Sequence, residues 1–369
     1  MKILLFIDSL ISGGAQSQLV GLAKQLKEQG YEVSVATYHN FSFYADFLSA
    51  NSIPFICIPK ASNRFSRIFY VYKYFKKCKP NVVIAYLGIP GILAIVVRIF
   101  GIKYRLIVSE RSITQKIGRI ERIRFFLYRF ADVIVPNSYT QTNFINTFFP
   151  KLSQKVQTIT NFVDTDFYLP TFIKHTQNKK LKIVVTARFS KVKNTLRMIE
   201  AMQHLILHGI NAELYWYGNN YFEHGRPSIL SDYYLEAVAM IQTLNLEENV
   251  FLHNHVKNVN KVYQQSDVIC LPSIYEGFPN TICEAMACGK PVLASNVCDI
   301  PQLIENGVNG FLFDPNSSLS IANAIENFYN LNEDQRALMG KLNRDKAMQN
   351  LSKSVFIQKY IYLFDFLKK

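Results

Sequence analysis

The sequence predicts an α/β protein made of two tandem units, each an open parallel sheet with crossover helices. Three observations predict it. The chain has 369 residues, too many for one ordinary core and suited to two domains of roughly 100–200 residues each. Short apolar runs of strand length alternate with longer segments of helical periodicity, the pattern of strand–helix–strand units. That alternation breaks down once, across a polar stretch at 164–180 that carries Pro170, and then restarts.

Residues 2–7 read as a buried strand and 8–14 as a polar loop containing Gly13 and Gly14. Residues 15–29 read as a helix with Leu19, Leu22, Ala23 and Leu26 on one face; Gly30 ends it, and 31–38 is the next strand. Further strands are expected at 53–58, 82–86, 104–108 and 133–136, with helices at 66–78, 90–100 and 119–130 between them. This makes one doubly wound domain over 1–165, followed by a linker at 166–180. The second domain, 181–350, repeats the pattern with strands at 182–187, 213–217, 250–252, 268–271, 291–294 and 311–313. Its helices are expected at 195–208, 233–244, 259–265, 281–287, 300–304 and from 318 onward. The last stretch, 351–369, is helical with aromatic side chains over much of its surface, and is expected to pack back toward the first domain. Two such Rossmann-like domains bind ligands beyond the carboxyl ends of their strands, so the expected site is the cleft between them.

Composition narrows the function classes. Hydrophobic residues make up 49% and charged residues 18%, which excludes disorder as the main state. Six cysteines without a CxxC pair argue against a disulfide framework or a zinc site and for a reducing compartment. The strongly apolar uncharged stretch 82–97 is shorter than a membrane span and is interrupted by Gly88, Pro90 and Gly91. The N-terminal apolar run is cut by Asp8, so it reads as a strand and not as a signal peptide. The net charge is +14 and uneven: +13 falls in residues 1–165 and +1 in 166–369. Such asymmetry points the first half at an anionic surface.

The sharpest motif is S-I-Y-E-G-F-P-N-T-I-C-E-A-M-A-C-G-K-P-V-L-A at 273–294. Gly277 and Pro279 prevent a helix between Glu276 and Glu284, Asn280 fits an N-cap, and Thr281 starts the helix. The N–H groups of such a helix start favour a phosphate or diphosphate. Glu284, one turn in, can accept two hydrogen bonds from a ribose diol, and Glu276 can accept bonds from a sugar hydroxyl. Either glutamate alone is also what a helix start carries merely to compensate its dipole. A second segment, R-F-S-K-V-K-N at 188–194, follows the first strand of the same domain. Arg188 at the strand end and Lys193 at the next helix start can neutralise a departing diphosphate, although the segment read alone is equally a solvated basic loop. The pair Gly13-Gly14 lets backbone approach a ligand, but GxGxxG is absent, which weakens a dinucleotide oxidoreductase reading.

Together these segments resemble the retaining glycosyltransferases of family 4, which have the two-domain GT-B fold. The resemblance rests on Glu-x7-Glu at Glu276 and Glu284, on A-R-F-S-K-V-K-N at 187–194, on G-V-N-G-F-L-F-D-P at 307–315 and on S-G-G-A at 12–15, and it spans nearly the whole chain. It implies that Arg188 and Lys193 bind and stabilise the donor diphosphate, that Glu284 holds the ribose hydroxyls and that Glu276 contacts the transferred sugar. It also implies that Gly277, Phe278, Pro279, Asn280 and Thr281 face sugar and phosphate, and that Gly13 and Gly14 close the cleft from the other domain. Catalysis needs no metal or other cofactor in such enzymes, and the anomeric configuration is retained by front-face displacement, the leaving phosphate helping to deprotonate the acceptor. Many members carry a histidine where this chain reads Val108-Ser109-Glu110-Arg111. That sequence resembles bacterial members that build amino-sugar glycans on lipid carriers. Glu110 and Arg111 are therefore candidates for acceptor or sugar contacts, or else an internal ion pair.

Residues 60–79 hold Lys60, Arg64, Arg67, Lys73, Lys76, Lys77 and Lys79 with no acid, interleaved with Phe65, Phe69, Tyr70, Tyr72, Tyr74 and Phe75. Residues 104–129 add seven more basic residues among aromatics. Such helices suit the headgroup region of anionic membranes, and no nucleic-acid motif accompanies them. The expected protein is a cytoplasmic enzyme held peripherally on the inner face of the cell membrane. It would move a hexose or N-acetylhexosamine from a nucleotide sugar, UDP-linked, to a saccharide or lipid-linked acceptor in surface glycan assembly. The competing readings are a sugar-nucleotide epimerase of the same fold, which leaves the basic first domain unexplained, and a non-catalytic basic membrane-binding protein.

Overall fold

The computed structural model describes residues 1–58, 64–171, 180–219, 232–256 and 258–368. Among these, the chain forms two compact units, Met1–Phe162 with Lys353–Lys369 and Val163–Ser352. Lys60, and residues 172–179 of the expected linker, lie outside the described residues, as do the side chains of Arg64 and Phe65.

The first unit is built on β1 (Lys2–Phe6), β2 (Glu32–Thr37), β3 (Phe55–Cys57), β4 (Val82–Tyr86), β5 (Arg105–Glu110) and β6 (Val133–Pro136). All pair in parallel in the order β3-β2-β1-β4-β5-β6. A parallel sheet must be covered on both faces, and β1 shows how. Ile3 and Leu5 face one apolar cluster, while Leu4 and Phe6 face another with Phe75, Leu93, Phe125 and Tyr128. Gly88 and Pro90, read above as breaks, instead lie in the first turn of the helix Gly88–Ile99, where a proline has no intrahelical N–H to lose. Leu87 makes the turn from β4 with a positive φ of 75°. Gly91 brings that helix close to β5 and to Tyr128: an added Cβ would sit 3.3 Å from the Tyr128 hydroxyl and 3.4 Å from Val108. Short helices at Ala45–Ala50 and Tyr139–Phe148 lie outside the helices expected from the sequence.

The helix Lys353–Lys368 completes this unit. Phe356, Tyr360, Leu363, Phe364 and Leu367 recur at helical spacing and enter the same cluster as Ile3 and Leu5. Phe364 meets Tyr31 edge-on at 5.6 Å, and Phe356 meets Phe162 at 4.8 Å.

The second unit is built on β7 (Leu181–Thr186), β8 (Ala212–Tyr217), β9 (Val250–His253), β10 (Val268–Leu271), β11 (Val292–Ser295) and β12 (Gly310–Phe313). The order is β12-β11-β10-β7-β8-β9, again parallel throughout. Residues 163–168, which the sequence reading divides between the first domain and the linker, belong here and are packed. The Val163 amide donates to Leu351 O, and Arg344 donates to Thr165 O and Tyr168 O. No helix among the described residues is long and apolar enough to cross a membrane.

Phe364→Ala should destabilise the first unit by about 3–5 kcal/mol, as expected for removing a buried ring. Urea unfolding of the full chain measures this, and Tyr362→Ala on the exposed face of the same helix serves as the near-neutral control.

Candidate functional site

Strand order places the candidate residues. β7 and β10 are neighbours with Ile183 opposite Val268, so the loops that leave their carboxyl ends run side by side. The order reverses there, which is where open parallel sheets bind ligands. The loop after β7 contains exposed Arg188, then a 3-10 turn, Lys191–Lys193, and the helix Thr195–Leu207. The loop after β10 contains Glu276 and leads into the helix Asn280–Ala287. The Ile274 amide donates to Val192 O at 2.8 Å, joining the two loops. Beside that link Lys193 Nζ donates to Glu276 Oε1 at 2.5 Å, with both side chains largely shielded from solvent.

Asn194 holds the arrangement. It is buried, with φ at +66°, and its side-chain amide donates to Pro272 O at 3.0 Å and Pro315 O at 2.7 Å. One side chain thus ties its own loop to those following β10 and β12.

The helix start differs in detail from the sequence reading. Pro279, not Asn280, is the cap residue, and Asn280 is the first helical residue. Proline pre-sets an extended backbone just before the helix, so no side-chain cap is needed to stop it. Phe278 turns its ring into the apolar core with Ile282, so toward a ligand it can offer only backbone. Thr281 donates from its hydroxyl to Thr186 O at 3.2 Å, which pins the first turn to the end of β7.

Glu284 sits one turn further along. Tyr263 donates its hydroxyl to Glu284 Oε2 at 2.9 Å and is itself 2.7 Å from the Thr186 hydroxyl. Tyr168 supplies another side-chain hydrogen bond to this carboxylate. Burial nevertheless outweighs these bonds and pushes the Glu284 pKa up to about 7. A carboxylate presented by tyrosines at the mouth of a helix start, next to an ion pair whose partners can each take a ligand group, is suited to hydroxyls and phosphate together.

In the first unit, Gly13 caps the helix Gly14–Glu28 in extended conformation directly beyond β1. A Cβ there would meet Gln16 Oε1 at 2.5 Å. Glu110 and Arg111 do not pair with each other. Glu110, 1% exposed, accepts a hydrogen bond from the Tyr128 hydroxyl and lies 3.6 Å from Arg124, and burial raises its pKa. Arg111 reaches the other way. It donates to Asn161 at 3.1 Å, Tyr86 at 2.9 Å and Tyr360 at 3.0 Å, and stacks on the Tyr86 ring. Successive strand-end residues point to opposite faces, so the internal ion pair of Glu110 is made with Arg124 and not with Arg111.

The basic–aromatic helices also divide. Phe75, Phe125, Tyr104 and Tyr128 are core residues. The exposed apolar groups are Phe69 and Tyr70 on the helix Arg64–Cys78, and Ile120, Ile123 and Phe126 on the helix Arg119–Tyr128. Ile120 is 74% exposed, and Arg129 lies over the rings of Phe126 and Phe130. Tyr168, Tyr263 and Thr186 carry no motif signal, and Asn194, although it closes the segment 188–194, has no assigned role there. Tyr168 falls in the segment assigned to a linker, and Tyr263 reads as an ordinary apolar position on a short helix.

Because the folded pKa of Glu284 exceeds its unfolded value of about 4.5, the native state holds an extra proton between those values. Stability from this group is therefore full at low pH and lost as pH rises through about 7. Relative to the parent protein, Glu284→Gln should raise Tm more at pH 8 than at pH 5, read by differential scanning calorimetry.

Comparison with known proteins follows this geometry. Residues 12–167 match the family described as Glycosyltransferase Family 4, and residues 171–346 match Glycosyl transferases group 1. A Campylobacter jejuni relative is 27% identical over 335 residues, covering 87% of this chain and 84% of its own length. Its name is GalNAc-alpha-(1->4)-GalNAc-alpha-(1->3)-diNAcBac-PP-undecaprenol alpha-1,4-N-acetyl-D-galactosaminyltransferase. Among solved structures, a glycosyltransferase from Rickettsia africae superposes with a TM-score of 0.85 at 17% identity, covering 100% of this chain and 99% of the other. Anabaena HepE, solved in complex with UDP, superposes at 0.83 and 20% identity, covering 99% and 100%. The chain belongs to the family 4 and group 1 glycosyltransferases and is a GT-B glycosyltransferase of the bacterial surface-polysaccharide type.

Proposed function

We propose that the protein transfers a hexose or N-acetylhexosamine from a UDP-sugar to a lipid-linked saccharide, with retention of anomeric configuration. The observation that carries this reading is the Lys193–Glu276 pair beside a helix start and a tyrosine-held carboxylate, all at the β7–β10 edge. In this reading Glu284 receives the ribose hydroxyls. Arg188 and Lys193, with the first-turn amides, carry the diphosphate charge, so that the protein's own cations serve where a metal ion would otherwise be needed. Glu276 accepts from a hydroxyl of the transferred sugar. The bond from the anomeric carbon to the diphosphate oxygen breaks, and a bond to the acceptor oxygen forms on the same face. The acceptor proton passes to the departing phosphate oxygen. In this reading the Gly13-Gly14 backbone, in the loop after β1, faces the ligand from the first unit. The Glu110 carboxylate is fully partnered inside the first unit, so its contribution is to hold the segment that leads to Arg111.

The UDP and lipid-linked parts are supported by the names of relatives: HepE is solved with UDP, and the Campylobacter jejuni enzyme is named for an undecaprenol-linked saccharide. The exposed apolar stripe Ile120–Ile123–Phe126, flanked by Arg119, Arg122 and Arg129, supports a peripheral seat on an anionic membrane from the cytoplasmic side.

A panel of nucleotide sugars with polyprenyl-diphosphate-linked acceptors in detergent, read by mass spectrometry of released nucleotide, tests the reaction. One donor should give acceptor-dependent release, and Lys193→Ala should lower kcat/KM by about 100-fold or more, as for loss of a transition-state charge contact. Lack of nucleotide-sugar binding by the intact protein would sink the reading. Replacing Ile120, Ile123 and Phe126 together by serine should abolish flotation with vesicles of anionic lipid while leaving nucleotide binding unchanged.

A further inference from the structure

We infer that Trp216, the single tryptophan of the chain, is a positioning residue that aims Arg188 at the donor diphosphate. The inference rests on the role given to Arg188 above and adds how that side chain is held.

Trp216 lies on β8 opposite Val185 and is fully buried. Its indole N–H donates to Ala187 O at 2.7 Å. The Ala187 amide donates to Tyr217 O at 3.0 Å, so the residue before Arg188 is bonded to β8 at both of its backbone polar groups. The residue after it is fixed by the same side chain: the Phe189 ring stacks on the Trp216 indole at 5.9 Å and meets Tyr234 edge-on at 5.0 Å. Arg188 stands exposed between these two anchors.

Beyond β7 the Trp216 side chain reaches the carbonyl of Ala187, while the Gly218 amide faces the other way and continues the ladder with β9 by donating to His253 O. Gly218 permits the approach: a Cβ there would lie 2.1 Å from Ala187 O and 3.4 Å from Arg188 Cα. Trp216 on β8 and Gly218 just after it therefore set the direction of the Arg188 peptide, one by a hydrogen bond and a ring stack, the other by lacking a side chain. A buried hydrogen-bonded anchor is the kind of support that fixes a binding group within the small tolerance catalysis needs.

The test uses the full chain and the nucleoside diphosphate that binds it among UDP, GDP, ADP and dTDP, measured by calorimetry. Arg188→Ala should weaken that binding at least tenfold. Trp216→Phe keeps a ring to stack on Phe189 and removes only the donor, and should weaken binding about three- to tenfold, the range of one lost hydrogen bond. In the Arg188→Ala background Trp216→Phe should have no further effect, whereas a merely structural role gives the same loss in both backgrounds. If Trp216→Phe does not fold, Gly218→Ala displaces the same peptide from the other side and must show the same coupling to Arg188. Unchanged binding in Arg188→Ala would overturn the assigned role of Arg188. Weakened binding in Arg188→Ala with no effect, or an independent effect, of Trp216→Phe would overturn the positioning role alone.

Discussion

The parallel pairing of β7 with β10 is the constraint on which the candidate chemistry depends. The two strands are more than 80 residues apart in sequence, yet their register brings Lys193 and Glu276 into contact. Everything nearby is arranged around that edge. Asn194 ties in the loop after β12, Thr281 pins the helix start to the end of β7, and Tyr263 connects Thr186 with Glu284. The site is rigid because its backbone is stapled to strand ends and not because its loops are short. Each staple is worth only about 1 kcal/mol net, but they share partners and so act together.

Lysine and glutamate face each other, so each largely neutralises the other's charge, and a ligand that binds one must also satisfy its partner. A phosphate alone would leave Glu276 in a shielded position without its cation, and a sugar alone would do the same to Lys193. The arrangement favours a ligand that carries both groups at once.

Much of this was legible in the sequence where a local pattern carries the information. Strand runs, the glycine and proline before Glu284, and the basic loop at 188–194 all report on their own backbone. What was not legible depends on long-range pairing. Tyr168 looks like part of a linker until Arg344 and Tyr263 are seen to pack around it. Glu110 and Arg111 are adjacent and opposite in charge, which suggests a pair; alternation along the strand sends one to Tyr128 and the other to Tyr360. Asn280 suits a cap by residue type, but the extended proline before it already ends the loop. The basic–aromatic stretches overstate the exposed surface, since sequence alone cannot tell that Phe75 and Phe125 face inward while Phe69 and Phe126 do not.

The return of the helix Lys353–Lys368 to the first unit separates the order of synthesis from the order of completion. The sheet of Met1–Phe162 emerges from the ribosome first, but Ile3, Leu5 and Val35 lack part of their cover until Phe356, Tyr360 and Phe364 are made. The second unit, Val163–Ser352, is contiguous and holds all its own strands, so it can close before the first one does. Until then the nascent first unit carries an open apolar face, and Arg111 waits for one of its phenol partners. A chain interrupted before the helix Lys353–Lys368 is made thus has its second unit whole and its earlier-made first unit unfinished.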